Sequence, residues 1–227
     1  MVEAKPGGCA VNTAKDVILT RIKSALADVP SAPIEEDAPV TWEYGKVAEM
    51  PAILDVFVDA LEDYKATVYR VSAAEVPKTV VKALKSKGAH SVVLPAGLEA
   101  SWREAIHHAK IGIHDDEPPL TAPQLNEIDA VVTASRISIA STGTIVLDHT
   151  PDQGRRALTL VPDIHVCVVA ADSVVSDVPE AVAKLKASIT AGQPLTFISG
   201  GSATSDIELQ RVEGVHGPRK LLVVLAE

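Results

Sequence analysis

The chain has 227 residues, of which 47% are apolar and only 3% aromatic, and its formal net charge is −9. This length suits one large domain, or one domain with an appendage, and the apolar content is enough for a substantial core. The acidic balance, the scarcity of aromatic rings and the lack of a basic stripe argue against a nucleic-acid partner.

Cysteine usage and hydropathy indicate which cofactors and which cellular location to expect. Cys9 and Cys167 are far apart in sequence, so this chain's own motifs predict no bound cofactor: neither an iron–sulfur cluster nor a structural zinc site. No apolar run approaches the ~18 residues of a membrane helix, and residues 1–9 lack the apolar core of a signal peptide. We therefore expect a cytoplasmic protein with no membrane span.

The first fifty residues differ in composition from the rest of the chain. Residues 11–28 place apolar side chains at helical spacing, and Asn12 or Thr13 is a candidate N-cap. Residues 29–50 then bring prolines and an acidic cluster, which is typical of a linker or surface loop. We expect residues 1–50 to form an N-terminal helical arm and Pro-rich linker, and residues 51–227 to form an α/β domain.

From residue 51 onward, helical and strand patterns alternate. Predicted helices span 51–65, 72–86, 99–109, a short segment from 121, and 177–190. The candidate caps of three of them are a capping box of Ser72 with Glu75, Thr121 ahead of Gln124, and Asp177 ahead of Glu180. Predicted strands span 66–71, 91–94, 111–113, 129–134, 144–148, 164–170, 195–199 and 221–225. This alternation predicts an α/β fold with a mainly parallel, doubly wound sheet, in which ligands bind outside the carboxyl ends of the strands.

The most polar segment is the glycine-rich turn that follows the predicted strand 195–199. We predict that this turn, at the carboxyl end of a parallel strand, opens a helix whose N–H groups face a small anion. Its candidate ligand-binding residues are Ser199, Gly200, Gly201, Ser202 and Thr204, with Asp206, Glu208 and His216 as candidate proton acceptors and Arg219 as a carboxylate partner. The segment matches neither a dinucleotide fingerprint, nor a Walker A loop, nor a nucleophile elbow. The structural alternative is a tight turn with serine caps.

Two further segments are candidates for ligand binding. Thr142, Gly143 and Thr144 precede an apolar strand, where small residues permit a close backbone approach, and the alternative is a β-turn or bulge. Arg155 and Arg156 end a polar stretch, where they would bind a carboxylate or a phosphate, and the alternative is a solvated loop.

Other reactive residue types favour structural interpretations. The run 114–117 has metal-ligating residue types, but they are consecutive rather than spaced, so we expect a loop. Cys167 lies within an apolar strand, and we expect a buried, inert thiol there.

Taken together in this order, several motifs resemble the LUD-domain proteins, and most closely the lactate-utilization protein C branch. The motifs are residues 129–147, Leu160–His165, 198–208 and 214–219, and the likeness covers roughly residues 50–227. The resemblance implies a fold similar to the sugar-phosphate isomerase and CoA-transferase superfamily. Relatives usually carry an acidic residue where this chain has Ser141, so any role of that carboxylate is lost here or supplied elsewhere.

The resemblance also implies a function. It implies a subunit of a system that oxidises L-lactate to pyruvate with two iron–sulfur partner proteins, whose clusters would carry the redox chemistry, while this chain holds a small anionic metabolite. One alternative is a non-catalytic assembly or regulatory module with a small-anion pocket. Another, by fold analogy only, is a transferase or ligase that acts on a CoA thioester or a phosphorylated metabolite.

Overall fold

A computed structural model describes residues 13–29, 49–205, 211–213 and 216–227. The chain divides into two compact units, residues 1–43 and 44–227. In the first unit, helix α1 (Ala14–Ala25) begins at Thr13, which forms a reciprocal capping box with Asp16. The predicted Pro-rich linker falls mostly on residues 30–48, which lie outside the described residues.

The second unit alternates helices and strands, as the sequence predicts. Its helices are α2 (Ile53–Asp63), α3 (Val76–Ser86), α4 (Ala100–His108), α5 (Ala122–Asn126), α6 (Val178–Lys184) and α7 (Lys186–Thr190). Its strands are β1 (Thr67–Val71), β2 (Ser91–Leu94), β3 (Gly112–Asp115), β4 (Ala130–Thr133), β5 (Ile137–Ile139), β6 (Thr144–Leu147), β7 (Ile164–Ala170), β8 (Val174–Val175), β9 (Thr196–Ile198), β10 (Ala203–Ser205), β11 (Arg211–Glu213) and β12 (Lys220–Ala226).

Local capping signals explain where several helices begin. Ser72 forms the predicted capping box with Glu75, in a 3₁₀ turn that leads into α3. Thr121 forms another with Gln124 at α5, and Asp177 accepts a hydrogen bond from the N–H of the third residue of α6. The predicted caps are confirmed because each depends only on residues three apart.

Six parallel strands form the main sheet, in the spatial order β1-β12-β7-β4-β2-β3. Apart from His165 in β7 and Lys220 at the start of β12, strands β7 and β12 are apolar throughout, which is typical of strands buried on both faces. On one face, residues such as Val166 and Val224 pack against α3 and α4. On the other, Cys167 and Val223 pack against α2 and a second sheet. The predicted mainly parallel α/β fold is confirmed.

The second sheet is mixed, and it decides where the glycine-rich turn lies. Its strand order is β8-β5-β6-β9, and β9 runs antiparallel to β6. The turn therefore does not follow a strand of the parallel sheet, and that part of the prediction is wrong. The predicted helix start is wrong as well, because 203–205 form β10, which pairs antiparallel with β11. Strand pairing replaces the intrahelical hydrogen bonds that an anion-binding helix end would need.

Among the described residues, none of the helices has both the length and the apolar character required to cross a membrane.

Candidate functional site

A cavity of about 220 Å³ lies beside the glycine-rich turn, against the amino ends of β7 and β12. It is lined by Arg156, Thr159, His165, residues 196–203, His216, Gly217, Pro218 and Leu221. A volume of this size exceeds what a single water molecule needs and suits a small metabolite.

Arg156 brings a positive charge to the cavity. Its side chain is half-buried, and Nη1 donates to the carbonyl oxygen of Thr159 at 2.7 Å and to the hydroxyl of the same residue at 3.1 Å. Nη2 donates to the carbonyl oxygen of His216 at 3.4 Å. Burial lowers the pKa of the guanidinium, yet arginine stays charged at neutral pH. Because the guanidinium has five N–H groups, donors remain for a ligand.

Arg156 differs from five other arginines of this chain because its hydrogen-bond acceptors among the described residues are all neutral. Among the described residues it makes no ion pair, whereas five other arginines each pair with a carboxylate. Those five are Arg70, Arg103, Arg136, Arg155 and Arg219. A cation that has lost part of its hydration is stabilised by an opposite charge, so this arginine favours an anionic ligand.

His165 adds a neutral polar ring to the same cavity. The residue is only 1% exposed, and its Nε2 lies 2.8 Å from Oγ1 of Thr133. Burial, assisted by the charge of Arg156, lowers the pKa of His165 to about 3. The imidazole is therefore neutral at physiological pH. A cation beside a neutral imidazole matches a ligand that carries an anionic group and a neutral polar group close together.

A network of hydrogen bonds holds the loop that precedes Arg156. The Oε1 atom of buried Gln153 accepts from the N–H of Asp148 at 2.7 Å and of His149 at 3.1 Å. Nδ1 of His149 lies 2.8 Å from a carbonyl oxygen, so it must be the donor there. Nε2 is then the acceptor for the hydroxyl of Thr196, 2.8 Å away in β9. These contacts tie the arginine loop to the second sheet.

The two glycines of the turn are required by close packing. Gly200 has φ +81°, and a Cβ there would lie 2.6 Å from Cβ of Tyr64 at the end of α2. A Cβ on Gly201 would lie 2.5 Å from the carbonyl oxygen of Arg219. Residues with side chains at these two positions would push the turn away from the domain. The glycines therefore set the wall of the cavity.

Of the predicted ligand-binding residues, Ser199, Gly200, Gly201 and Ser202 line the cavity, as does His216. The backbone N–H of His216 donates to the Ser202 hydroxyl at 3.1 Å, which holds the two cavity-lining segments together.

The predicted Thr142–Thr144 segment lies behind the cavity wall. Oγ1 of Thr144 is 2.8 Å from Oγ of Ser199 and 2.8 Å from Oγ1 of Thr142. Gly143 has φ +57°, and its Cβ would lie 2.8 Å from the backbone carbon of Ala60 in α2. The close approach predicted for this glycine is thus an approach to a helix. The threonines support the turn through Ser199.

The remaining predicted residues are more distant from this cavity or cannot be placed. Arg219 is exposed and forms an ion pair with Asp163, and it is not among the cavity-lining residues. Thr204 lies in β10, whereas Asp206 and Glu208 lie outside the described residues.

Sequence reasoning proposed Arg156 only together with Arg155, and it did not select Thr159 or His165 as site residues. Arg155 and Arg156 had equal claims as anion ligands, because adjacent arginines have the same sequence signal. In the structure Arg155 instead forms a two-pronged ion pair with Asp116, at 2.6 and 2.8 Å. His165 ends the motif 160–165, and the only available signal was a histidine within an otherwise apolar strand.

The structural interpretations of other reactive residues can also be compared with the fold. Cys167 is fully buried, and burial raises the pKa of its thiol to about 12, so the predicted buried thiol is confirmed. Residues 114 and 115 end β3, and those after them form a loop. Within the described ranges, no cluster of three or more histidine, cysteine or carboxylate residues is arranged to hold a metal ion.

Comparison with known proteins identifies the family of this chain. Residues 54–226 match the LUD domain. The chain belongs to the LUD domain family. It is 51% identical over 173 residues to a lactate utilization protein C from Deinococcus radiodurans, covering 76% of this chain and 79% of that protein. A lactate utilization protein C from Bacillus licheniformis is 34% identical over 100 residues, covering 42% of this chain and 41% of the relative.

A solved structure supports the same assignment. The crystal structure of a DUF162 family protein from Deinococcus radiodurans superposes with a TM-score of 0.66 and 44% identity, covering 77% of this chain and 96% of that chain. All residues that line the cavity lie within the matched LUD domain, 54–226. The cavity therefore lies entirely within the LUD domain of this chain.

Proposed function

We propose that this LUD-domain protein is a subunit of an L-lactate-oxidising system and that its cavity binds lactate. The observation that carries the proposal is the half-buried guanidinium of Arg156, which has only neutral acceptors among the described residues and faces a cavity of about 220 Å³. The names of the relatives from Deinococcus and Bacillus, both lactate utilization protein C, support lactate as the ligand.

The chemistry of lactate matches the two polar groups of the cavity. Lactate carries a carboxylate and a hydroxyl on adjacent carbons. In the proposed complex, the free N–H groups of Arg156 bind the carboxylate, since arginine favours planar, two-pronged recognition of this group. The hydroxyl then approaches the neutral ring of His165. Substrate binding would also neutralise the charge of Arg156, which is one of the two causes of the low pKa of His165.

Oxidation of lactate to pyruvate removes two electrons and two protons. We assign the electrons to iron–sulfur clusters of two partner proteins, as the family resemblance implies, and substrate binding and orientation to this chain. His216 lines the cavity and stays a candidate to accept a proton, whereas the proposed roles of Asp206 and Glu208 fall on residues outside the described ranges. A cytoplasmic location remains part of this proposal.

Growth on L-lactate tests the proposed role in the cell. A deletion strain should fail to grow on L-lactate as its carbon source, and a plasmid with the wild-type gene should restore growth. Arg156→Gln should not restore growth, because the amide cannot replace a charged, two-pronged donor. Arg103→Gln is the matched control: it removes the same charge from an exposed ion pair with Asp115 and should restore growth. Normal growth of the deletion strain would refute the proposal.

Ligand binding by the purified protein separates the alternatives. Thermal-shift and calorimetric titrations with L-lactate should show binding that Arg156→Gln weakens about 10- to 100-fold, as expected for loss of a charged hydrogen-bonding group. Stabilisation by CoA or phosphate compounds, without any effect of lactate, would favour the transferase alternative. An Arg156→Gln strain that grows normally and still assembles its complex would favour the assembly role.

A further inference from the structure

Three buried side chains extend from the cavity into the sheet. His165 and Cys167 are two residues apart in β7, so their side chains lie on the same face of the sheet. Thr133 is the last residue of the neighbouring strand β4. Oγ1 of Thr133 lies 2.8 Å from Nε2 of His165 and 3.7 Å from Sγ of Cys167. Sγ of Cys167 in turn lies 3.7 Å from the carbonyl oxygen of Ala134.

The hydrogen bonds among these groups have one consistent direction from donor to acceptor. A carbonyl oxygen only accepts, so the thiol hydrogen of Cys167 points to Ala134, and Sγ is left as an acceptor. The thiol keeps this hydrogen because burial raises its pKa to about 12. The hydroxyl hydrogen of Thr133 then goes to Sγ, and its oxygen accepts from Nε2–H of His165. This arrangement makes three hydrogen bonds, whereas in an Nδ1–H tautomer of His165 the Thr133 hydroxyl would donate to Nε2 instead of Sγ and only two would form.

The charge in the cavity favours the same tautomer. With hydrogen on Nε2, the Nδ1 atom of His165 carries a lone pair, and among the described residues it has no hydrogen-bond partner. The ring lines the cavity that Arg156 also lines, and the positive charge of this arginine interacts unfavourably with a protonated ring. A lone pair toward a cation is electrostatically better than an N–H group toward it.

We propose that Thr133 and Cys167 are positioning residues that hold His165 in the Nε2–H tautomer, so that Nδ1 accepts a hydrogen bond from the hydroxyl of a 2-hydroxy acid. The tautomer follows from the protein's own contacts. The identity of the ligand rests on the proposed lactate-binding function.

This arrangement predicts a preference between substrate and product. The hydroxyl of lactate donates to Nδ1, whereas the keto oxygen of pyruvate has no hydrogen and meets a lone pair instead. Both molecules present the same carboxylate to Arg156. We therefore expect lactate to bind about tenfold more tightly than pyruvate, the difference of roughly one neutral hydrogen bond. A site of this kind would take up the hydroxy acid and release the keto acid.

The tautomer is tested directly by nuclear magnetic resonance. In ligand-free protein with ¹⁵N-labelled histidine, two-bond nitrogen–proton correlations identify which ring nitrogen of His165 carries hydrogen. Wild type should show Nε2–H. Thr133→Val removes the oxygen that accepts from Nε2–H and should shift the ring to Nδ1–H, whereas Thr133→Ser retains the hydroxyl and should keep the wild-type tautomer. An Nδ1–H signal in wild type would overturn the proposal.

A second pair of variants covers the case in which Thr133→Val does not fold. Cys167→Ala removes the acceptor for the threonine hydroxyl, which is then free to donate to Nε2, so this variant should populate the Nδ1–H tautomer. Cys167→Ser keeps both a donor and an acceptor and should retain Nε2–H. A His165 tautomer that is the same in wild type, Thr133→Val and Cys167→Ala would show that neither residue positions the ring.

Titration with L-lactate and with pyruvate then tests the role of Nδ1. Wild type and Thr133→Ser should prefer lactate about tenfold, and Thr133→Val or Cys167→Ala should lose most of that preference. Equal binding of both acids by wild type would refute the role of the hydroxyl. An Nε2–H ring in a protein that binds neither acid would support the positioning role and refute the proposed lactate site, so the two failures are distinguishable.

Discussion

The stability of this protein should depend on pH through His165. In the folded chain its pKa is about 3, chiefly because burial disfavours the charged ring, whereas a histidine in an unfolded chain has a pKa of about 6.5. Between these two pH values the unfolded chain binds a proton that the folded chain does not. The stability contributed by the neutral ring is therefore complete above pH 6.5 and is lost as the pH falls toward 3.

The size of this effect follows from the pKa difference. At about 1.4 kcal/mol per pH unit, the full range from 6.5 to about 3 corresponds to about 5 kcal/mol of unfolding free energy. Between pH 6.5 and 4.5, where the fold should survive, the loss is about 2 kcal/mol. That amount is a large fraction of the stability of an ordinary domain.

The comparison of wild type with His165→Gln isolates this contribution. Glutamine does not titrate, and its amide keeps a donor close to the position of Nε2 beside Thr133. Urea denaturation followed by circular dichroism at pH 6.5, 5.5 and 4.5 gives the unfolding free energy of each protein. Wild type should lose about 2 kcal/mol more than the variant over this range, because carboxylate titration is common to both. His108→Gln, at an exposed position, should follow wild type.

Parallel pH dependences in wild type and His165→Gln would refute the reasoning. They would mean that the folded protein accommodates a protonated His165 at little cost, for example by admitting water to the cavity. In that case the ring would also be available as a base, and the hydrogen-bond acceptor role proposed for Nδ1 would need revision.

Two further predictions concern packing. Gly200→Ala should destabilise the protein by about 3 kcal/mol, since it adds a clash with Tyr64 to the strain of a positive φ. Gly88 has a similar φ of +74° but no neighbouring atom near the added Cβ, so Gly88→Ala should cost only about 1 kcal/mol. Chemical denaturation measures both losses of stability, and equal losses would contradict the packing at the turn. Cys167 should resist alkylation in the native protein at pH 8 and react fully in urea, because the thiol is buried and its pKa is raised to about 12. Peptide mass spectrometry locates the label. Rapid labelling of this residue in the native protein would contradict its burial.

Much of the fold was accessible from the sequence because its signals are local. The capping box of Ser72 with Glu75 and the apolar run of β7 depend on residues that are close in sequence, and both predictions hold. Strands β5, β8, β10 and β11 were not predicted, since each is only two or three residues long and is defined by its pairing partner. The polar composition of residues 203–208 suited a helix start, but pairing of β10 with β11 prevailed over local preference.

Only part of the candidate site could be predicted from the sequence. The glycine-rich turn was evident as a functional candidate, and Ser199 to Ser202 do line the cavity. Adjacent Arg155 and Arg156, however, have the same sequence signal, and only tertiary contacts decide that one pairs with Asp116 while the other faces the cavity.

Local patterns in the amino-acid sequence were enough to predict the class of fold, several helix caps and the family, and they marked the turn at Gly200 as a candidate site. Tertiary structure alone decided that this turn leaves an antiparallel strand of a second sheet, and that its cavity lies over the amino ends of β7 and β12. The physical reason is separation along the chain. Thr144 meets Ser199 from 55 residues away and Thr133 meets His165 from 32 residues away, and contacts of that kind form only when the sheets pack together.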